Sequence, residues 1–277
     1  MIPPQNVSEA VYRREVAKRL ARCQETILLG GRPHWDSVAM MVLSCKRAEA
    51  AKRLLKSLYR LAAEDSGTPW IWVDNGSDDD VLVPVKESGL FQTVIHHGVN
   101  RGMGFAINHA MEEIRAEHIL FVEDDLVYVP GGPEAWIRQC LSIFREFPEI
   151  GIIKLKRKAD WDTMYPYRRI GPLQTTSTGV RFHPWLPSPR WSFRWGQRPW
   201  YPAGIHNCWS LGPVMFRWCS WKENGPIPSG RGRGQALAAE EVYARTYNTK
   251  WLAARPVDFA PFSQPVTPES PGFGDRV

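Results

Sequence analysis

The chain has no uninterrupted apolar run of about 18 residues, the length a helix needs to cross a bilayer, so no membrane span is expected. Its first residues, Met1-Ile2-Pro3-Pro4-Gln5-Asn6, lack the basic stretch followed by an apolar one that marks a secretory signal. Cysteine is sparse and odd in number: Cys23, Cys45, Cys140, Cys208 and Cys219. No two have C-x-x-C spacing, which argues against a zinc knuckle and a disulfide framework. Reduced thiols and a cytoplasmic location are expected. Acids are scarce in one long stretch. Residues 151–235 hold 14 Lys or Arg but only three acids, although the whole chain carries a net charge of only +6. The same stretch holds eight of the 13 tryptophans. A basic, aromatic second half suits an anionic or stackable partner.

At 277 residues the chain fits one large domain with a flank. Residues 1–36 read as an N-terminal helical extension. Val11, Val16 and Leu20 form a loose stripe over 7–22, and Asn6 and Glu9 have capping-box spacing. Residues 37–255 then read as an α/β domain. Val38–Leu43 is a near-continuous apolar run, as a strand buried on both faces requires. Ala51, Leu54, Leu55, Leu58 and Leu61 predict a helix over 47–63. Strands are expected at 70–73, 93–95, 119–122 and 150–155, with helices at 103–115 and 133–146. Residues 160–205, rich in Pro, Trp, Arg and Gly, read as hairpins and loops on the sheet edge. A helix resumes over 238–248. The tail 256–277 carries five prolines and reads as an extended or disordered strap.

Three motifs carry chemistry. Val73-Asp74-Asn75-Gly76-Ser77-Asp78 clusters polar groups at a strand end, where open α/β sheets bind ligands. An ordinary turn of Asp, Asn and Gly has the same composition. Asn100 to Asn108, with Gly102 and Gly104, lies between a strand and a helix. Its glycines allow close backbone approach, and a helix N-terminus favours phosphate. Ile107 stands where a dinucleotide fingerprint needs its third glycine. Glu123-Asp124-Asp125 follows an apolar strand. Three adjacent acids repel one another unless a cation sits there, and Mg²⁺ or Mn²⁺ with oxygen ligands fits. A solvated acidic turn is the alternative.

In this order, the motifs resemble the nucleotide-sugar-binding half of the family-2 glycosyltransferases, which have the GT-A fold. Ser44-Cys45-Lys46-Arg47, Val73 to Asp78, Asn100 to Asn108 and Glu123 to Asp125 carry the resemblance. It is good over roughly 38–155 and weaker to about 255. It implies a mostly parallel central sheet flanked by helices, with a donor half over 37–155 and a loop-rich acceptor half over 156–255. It implies that Ser44 and Asp74 contact the base of a nucleotide-sugar donor. Asn75, Asn100 and Arg101 would lie along the nucleoside and diphosphate, with Lys46, Arg47, Gly102, Asn108 and Asp124 in the same donor set. Glu123, a Glu where the family has Asp, would face the ribose. Asp125 would hold Mn²⁺ or Mg²⁺, with Glu123 and His206 as further candidate ligands, and Asp124 would point away. Of Glu240 and Glu241, the resemblance favours Glu241 as the base that deprotonates the acceptor. A helix first turn rich in acids is the plainer explanation of that pair.

Gly230-Arg231-Gly232-Arg233-Gly234 reads as a lid whose Arg231 and Arg233 close over the diphosphate, as a surface loop, or as a nucleic-acid contact. Trp191, Arg194, Trp195, Trp200 and Trp209 are the candidate acceptor residues, since indoles stack on sugars and bases and arginines pair with phosphates. The expected activity is a metal-dependent, inverting transfer from a nucleotide-sugar, with UDP the expected nucleotide, to a hydroxyl. A hydroxylated base in DNA is one acceptor, and an oligosaccharide or small molecule is another. A nucleotidyltransferase and a non-catalytic nucleic-acid-binding protein are the competing classes.

Overall fold

Strand β1 (Val38–Ser44) is buried along its whole length, as its unbroken apolar run requires. The computed structural model describes residues 38–64, 68–114, 116–130, 135–156, 172–185, 192–193, 201–202, 212–229, 242–244, 246–247 and 250–265. The N-terminal extension expected over 1–36 lies outside them. Helix α1 (Ala48–Glu64) follows β1 and buries Ala51, Leu54, Leu58 and Leu61, one face of a 3.6-residue period. Then come β2 (Trp70–Asp74), α2 (Asp79–Glu87), β3 (Thr93–His96), α3 (Met103–Glu113), β4 (His118–Glu123) and the short β5 (Val127–Tyr128). Helix α4 (Trp136–Glu146) leads to β6 (Ile150–Lys154). The short strands β7 (Gln174–Thr175), β8 (Arg181–Trp185), β9 (Ser192–Phe193) and β10 (Tyr201–Pro202) follow. The described chain closes with β11 (Val214–Arg217), α5 (Trp218–Asn224), β12 (Leu252–Pro256) and β13 (Phe262–Ser263).

Nine strands form one sheet in the order β3-β2-β1-β4-β11-β6-β12-β8-β7. The strands β3, β2, β1 and β4 run parallel, β11 lies antiparallel between β4 and β6, and β6 pairs parallel with β12. The edge hairpin β7–β8 is antiparallel, matching the hairpins expected after residue 160. Successive β1 side chains go to opposite faces. Met40 and Val42 enter a core with α1 and α4, while Ala39, Met41 and Leu43 enter another with α3 and α5. The result is a mixed α/β architecture with a largely parallel sheet between two helical layers.

Three regions depart from the sequence reading. Helix α2 was not expected, as no element is predicted over 79–87; it opens on Asp79 and Asp80, contains Pro84 and buries Val81, Leu82 and Val85. Strand β11 and helix α5 arise within the basic, tryptophan-rich text, and Trp221 is buried. The stretch expected as a Pro-rich strap is extended over 257–265, but it is built into the fold. Phe259 and Phe262 are buried in the α1–α4 core, and β13 pairs with β5.

Candidate active site

Strands β1, β2, β3 and β4 end on one edge, where the register sets Ser44 beside Asp74, Asp74 beside His96 and Leu43 beside Glu123. The chain winds outward from β1 to β2 and β3, then crosses back to place β4 on the other side of β1. That reversal is a topological switch point, and the crevice beyond the carboxyl ends of the strands at such a point, here β1 and β4, is the usual ligand position in open α/β sheets.

On the β2 side, Asp74 is fully buried and its carboxylate organises the turn. Ser44 Oγ donates to Oδ1 at 2.8 Å, while Gly76 N and Ser77 N donate to Oδ2 at 3.1 and 2.8 Å. His96 Nδ1 lies 3.0 Å from the same Oδ2. Burial opposes the charge, but the hydrogen bonds from Ser77, Ser44 and His96 outweigh it and hold the Asp74 carboxyl below its ordinary range. Ser77 Oγ accepts from Lys46 N at 2.8 Å, and Lys46 takes a left-handed backbone with φ of 55°. This is a strained conformation for a residue with a side chain.

The Asn75 amide ties this turn to the loop before α3. It donates to Asn100 Oδ1 at 3.0 Å and accepts from Arg101 N at 3.0 Å. Asn100 Oδ1 also accepts from Gly102 N at 2.8 Å, and Asn100 Nδ2 reaches Cys45 Sγ at 3.3 Å. Contact is so close that a Cβ on Gly76 would stand 2.4 Å from Asn100 N. Ser44, Asp74 and Asn75 are therefore buried beneath the crevice, whereas Lys46, His96, Asn100 and Arg101 are exposed on its rim. The Arg101 guanidinium lies 5.1 Å from the Phe105 ring centre, at the electropositive start of α3.

Asn108, expected in the donor set, is spent on the backbone. It donates to Ile227 O at 2.8 Å and accepts from Ile227 N at 2.9 Å, fastening residues 225–229 to α3. Gly104 completes that contact, since a Cβ there would meet Pro228 O at 2.3 Å.

On the β4 side the chain turns directly after Glu123, with Leu126 N donating to Glu123 O at 3.2 Å. Asp124 is fully buried and accepts from Cys45 N at 3.2 Å. Arg47 forms ion pairs with both Asp124 and Asp125, with 2.9 Å to Asp125 Oδ2. Burial pushes the Asp124 carboxyl up to about 7, helped by Asp125 and opposed by Arg47. The cation that the acidic triplet demands is thus supplied by the chain itself. Arg47, one of the expected donor residues, faces Asp124 and Asp125, and Asp124 lies in the interior.

Asp125 remains partly exposed, and its two oxygens differ. Oδ2 accepts from Arg47 and, at 3.0 Å, from Gln264 Nε2. Oδ1 is buried with no hydrogen-bond partner among the described residues. Among the described residues no group of three His, Cys, Asp or Glu side chains forms a ready metal cage. An unpartnered carboxylate oxygen still suits a hard divalent ion that keeps waters and takes its remaining ligands from phosphate. Asp125 is the residue that would hold it, beside Glu123 at the end of β4.

Sequence reasoning passed over His96 and Gln264, and gave Ser77 no role beyond its place in the motif. His96 had a signal, because it ends a strand beside Asp74. Gln264 had none, being 139 positions from Asp125. Glu240, Glu241, His206, Trp191, Arg194, Trp195, Trp200, Trp209, Arg231 and Arg233 lie outside the described residues. Part of the basic excess is internal. Arg217 is buried and donates to Ile150 O at 3.0 Å, Lys154 is buried, and Arg181 pairs with Asp258. Among the described residues no helix is long and apolar enough to cross a membrane.

The comparisons agree with this architecture. No curated protein sequence matches the chain. The S. aureus TarS 1–349 structure in complex with UDP-GlcNAc is 14% identical with a TM-score of 0.52, the match covering 82% of this chain and 58% of that one. The longer S. aureus TarS structure is 16% identical at a TM-score of 0.52, with 84% of this chain and 37% of that one covered. The chain therefore spans less than two thirds of the TarS structures. The mannosyltransferase PcManGT from Pyrobaculum calidifontis, in complex with GDP-Man and Mn²⁺, is 15% identical at a TM-score of 0.54, covering 94% of this chain and 70% of that one. At such identities the likeness is one of fold, and that fold is GT-A. The family model for "Glycosyl transferase family 2" matches residues 38–211, which takes in every strand end lining the crevice, and the chain belongs to that family of glycosyltransferases.

Proposed function

We propose that the chain transfers a sugar from a nucleoside-diphosphate sugar, a UDP-sugar in the first instance, to a hydroxyl acceptor with inversion at the anomeric carbon. The buried, unpartnered Oδ1 of Asp125 in the switch-point crevice is the observation that carries the reading. A divalent cation held there, Mn²⁺ or Mg²⁺, supplies charge neutralisation for the diphosphate leaving group. Arg101 and Lys46, exposed on two loops tied together through Asn75 and Ser77, add positive charge along the diphosphate. Ser44, Asp74 and Asn75 serve as the scaffold that aims those loops. Exposed His96, backed by Asp74, faces the base and ribose together with Glu123. By resemblance, Glu241 takes the acceptor hydroxyl proton, with Glu240 beside it, as the oxygen attacks the anomeric carbon opposite the diphosphate.

For the acceptor, the Arg- and Trp-rich composition that remains in 151–235 once the interior Arg217, Lys154 and Trp221 are set aside suits a hydroxylated base in DNA. An oligosaccharide or small hydroxyl compound is the other outcome of a product screen.

Calorimetry with a panel of UDP- and GDP-sugars, with and without Mn²⁺, tests the donor reading. At least one donor binds only with the cation, and Asp125→Asn loses that dependence. No binding of any nucleotide-sugar under either condition refutes it. Mass spectrometry of hydroxymethylated DNA and sugar acceptors incubated with the donor that binds then separates the two acceptor classes.

A further inference from the structure

The segment after β12 reaches the crevice. Pro261 O accepts from Val129 N at 2.7 Å, and Phe262 N donates to Leu155 O at 3.3 Å. Phe262 is fully buried, its ring edge-on to Tyr128 and Trp136. The β13–β5 register sets Phe262 against Tyr128 and Ser263 against Val127. Antiparallel continuation brings the next residue, Gln264, beside the acidic turn that β5 leaves. Its side chain there joins two charged groups: Nε2 donates to Asp125 Oδ2 at 3.0 Å, and Oε1 accepts from Lys156 Nζ at 2.6 Å. Lys156 lies just past β6 and forms a bridge with Phe262, so the same register fixes both ends of the relay.

We propose that Gln264 is a positioning residue for Asp125. With Lys156 holding its carbonyl, the amide can offer only its N–H to the carboxylate. Together with Arg47 it pins Oδ2, which leaves Oδ1 as the free oxygen and fixes the direction in which it points. Outer groups that orient a ligating carboxylate commonly change metal affinity by about 10–100-fold when removed. The inference rests on the donor reading above, and it makes the C-terminal strap part of the cation site.

Gln264→Met tests it, because methionine keeps the length and packing while removing the amide. Mn²⁺ affinity in the presence of the nucleoside diphosphate is measured by electron paramagnetic resonance, and metal-free thermal unfolding by circular dichroism. The expected result is a ~10-fold or greater loss of Mn²⁺ affinity at an unchanged metal-free melting temperature. Lys156→Met gives a smaller loss in the same direction, since the amide then keeps its donor but loses its orientation. Unchanged Mn²⁺ affinity in Gln264→Met, with the wild type binding normally, overturns the inference and leaves the donor reading intact. A loss of affinity matched by a fall in metal-free stability assigns Gln264 to packing and also overturns it. No cation-dependent binding by the wild type removes the donor reading itself.

Discussion

Arg47→Met takes the guanidinium from two carboxylates and leaves the aliphatic stem in place. Asp124 then keeps the Cys45 N–H at 3.2 Å and loses its counter-charge while fully buried. Removing one partner of a buried ion pair costs about 3–5 kcal/mol. Arg47 is 38% exposed, so solvent already screens part of its charge, and roughly 2–3 kcal/mol is the better expectation. At about 2–4 °C per kcal/mol, the melting temperature at pH 8 falls by about 5–10 °C. The pH dependence is the sharper test. Burial pushes the folded Asp124 carboxyl up to about 7 from an ordinary 3.8. A carboxyl raised on folding binds protons as the chain folds, so its contribution to stability falls as pH rises from about 4 to 7. Near pH 5 Asp124 is largely protonated in both proteins, and the guanidinium matters little to it. The deficit of Arg47→Met is therefore largest at pH 8 and smallest at pH 5. Thermal unfolding at the two pH values reads both effects. A wild-type melting temperature at pH 8, or a deficit that grows toward pH 5, refutes Arg47 as the internal counter-cation.

Three further outcomes follow from the scaffold. Gly76→Ala forces a Cβ to 2.4 Å from Asn100 N at a φ of +89°, so urea unfolding shows a loss exceeding about 1 kcal/mol. Asn108→Ala strips both partners from the buried Ile227 peptide groups and costs about 1–3 kcal/mol by urea unfolding. Asp74 has the opposite sign to Asp124. Its depressed carboxyl contributes stability above its unfolded pKa, and this is lost as pH falls through the folded one. Asp74→Asn is accordingly less stable than wild type at pH 7, and its deficit shrinks on acidification below about pH 4 when followed by circular dichroism.

The parallel half of the fold was legible because parallel strands are buried on both faces and leave continuous apolar runs, as in Val38–Ser44 and His118–Glu123. The turn at Asp74 was legible because Asp, Asn, Gly and Ser have few other reasons to follow such a strand. Helix α2 was not, since acids and Pro84 mask a short face of only three buried residues. Net charge over 151–235 misled in a particular way. It counts Arg217 and Lys154 as surface cations, but both are interior, Arg217 donating to the carbonyls of Ile150 and Phe144. Composition states how many charges a stretch holds and nothing about which way they face.

The acidic triplet shows where local pattern ends and topology begins. Three adjacent acids state a demand for positive charge without naming its source. Given that β4 lies beside β1, with Leu43 opposite Glu123, the source follows. The residues just beyond each strand must meet, and Arg47 is the long cation within reach of Asp124 and Asp125, 77 and 78 positions away in the chain. Gln264 does not follow even then, because its place depends on β13 pairing with β5, a two-residue ladder with no period to announce it. The candidate site is thus written in motifs and sheet order, while the proposed hold on Asp125 comes from a segment that composition alone would place outside the domain.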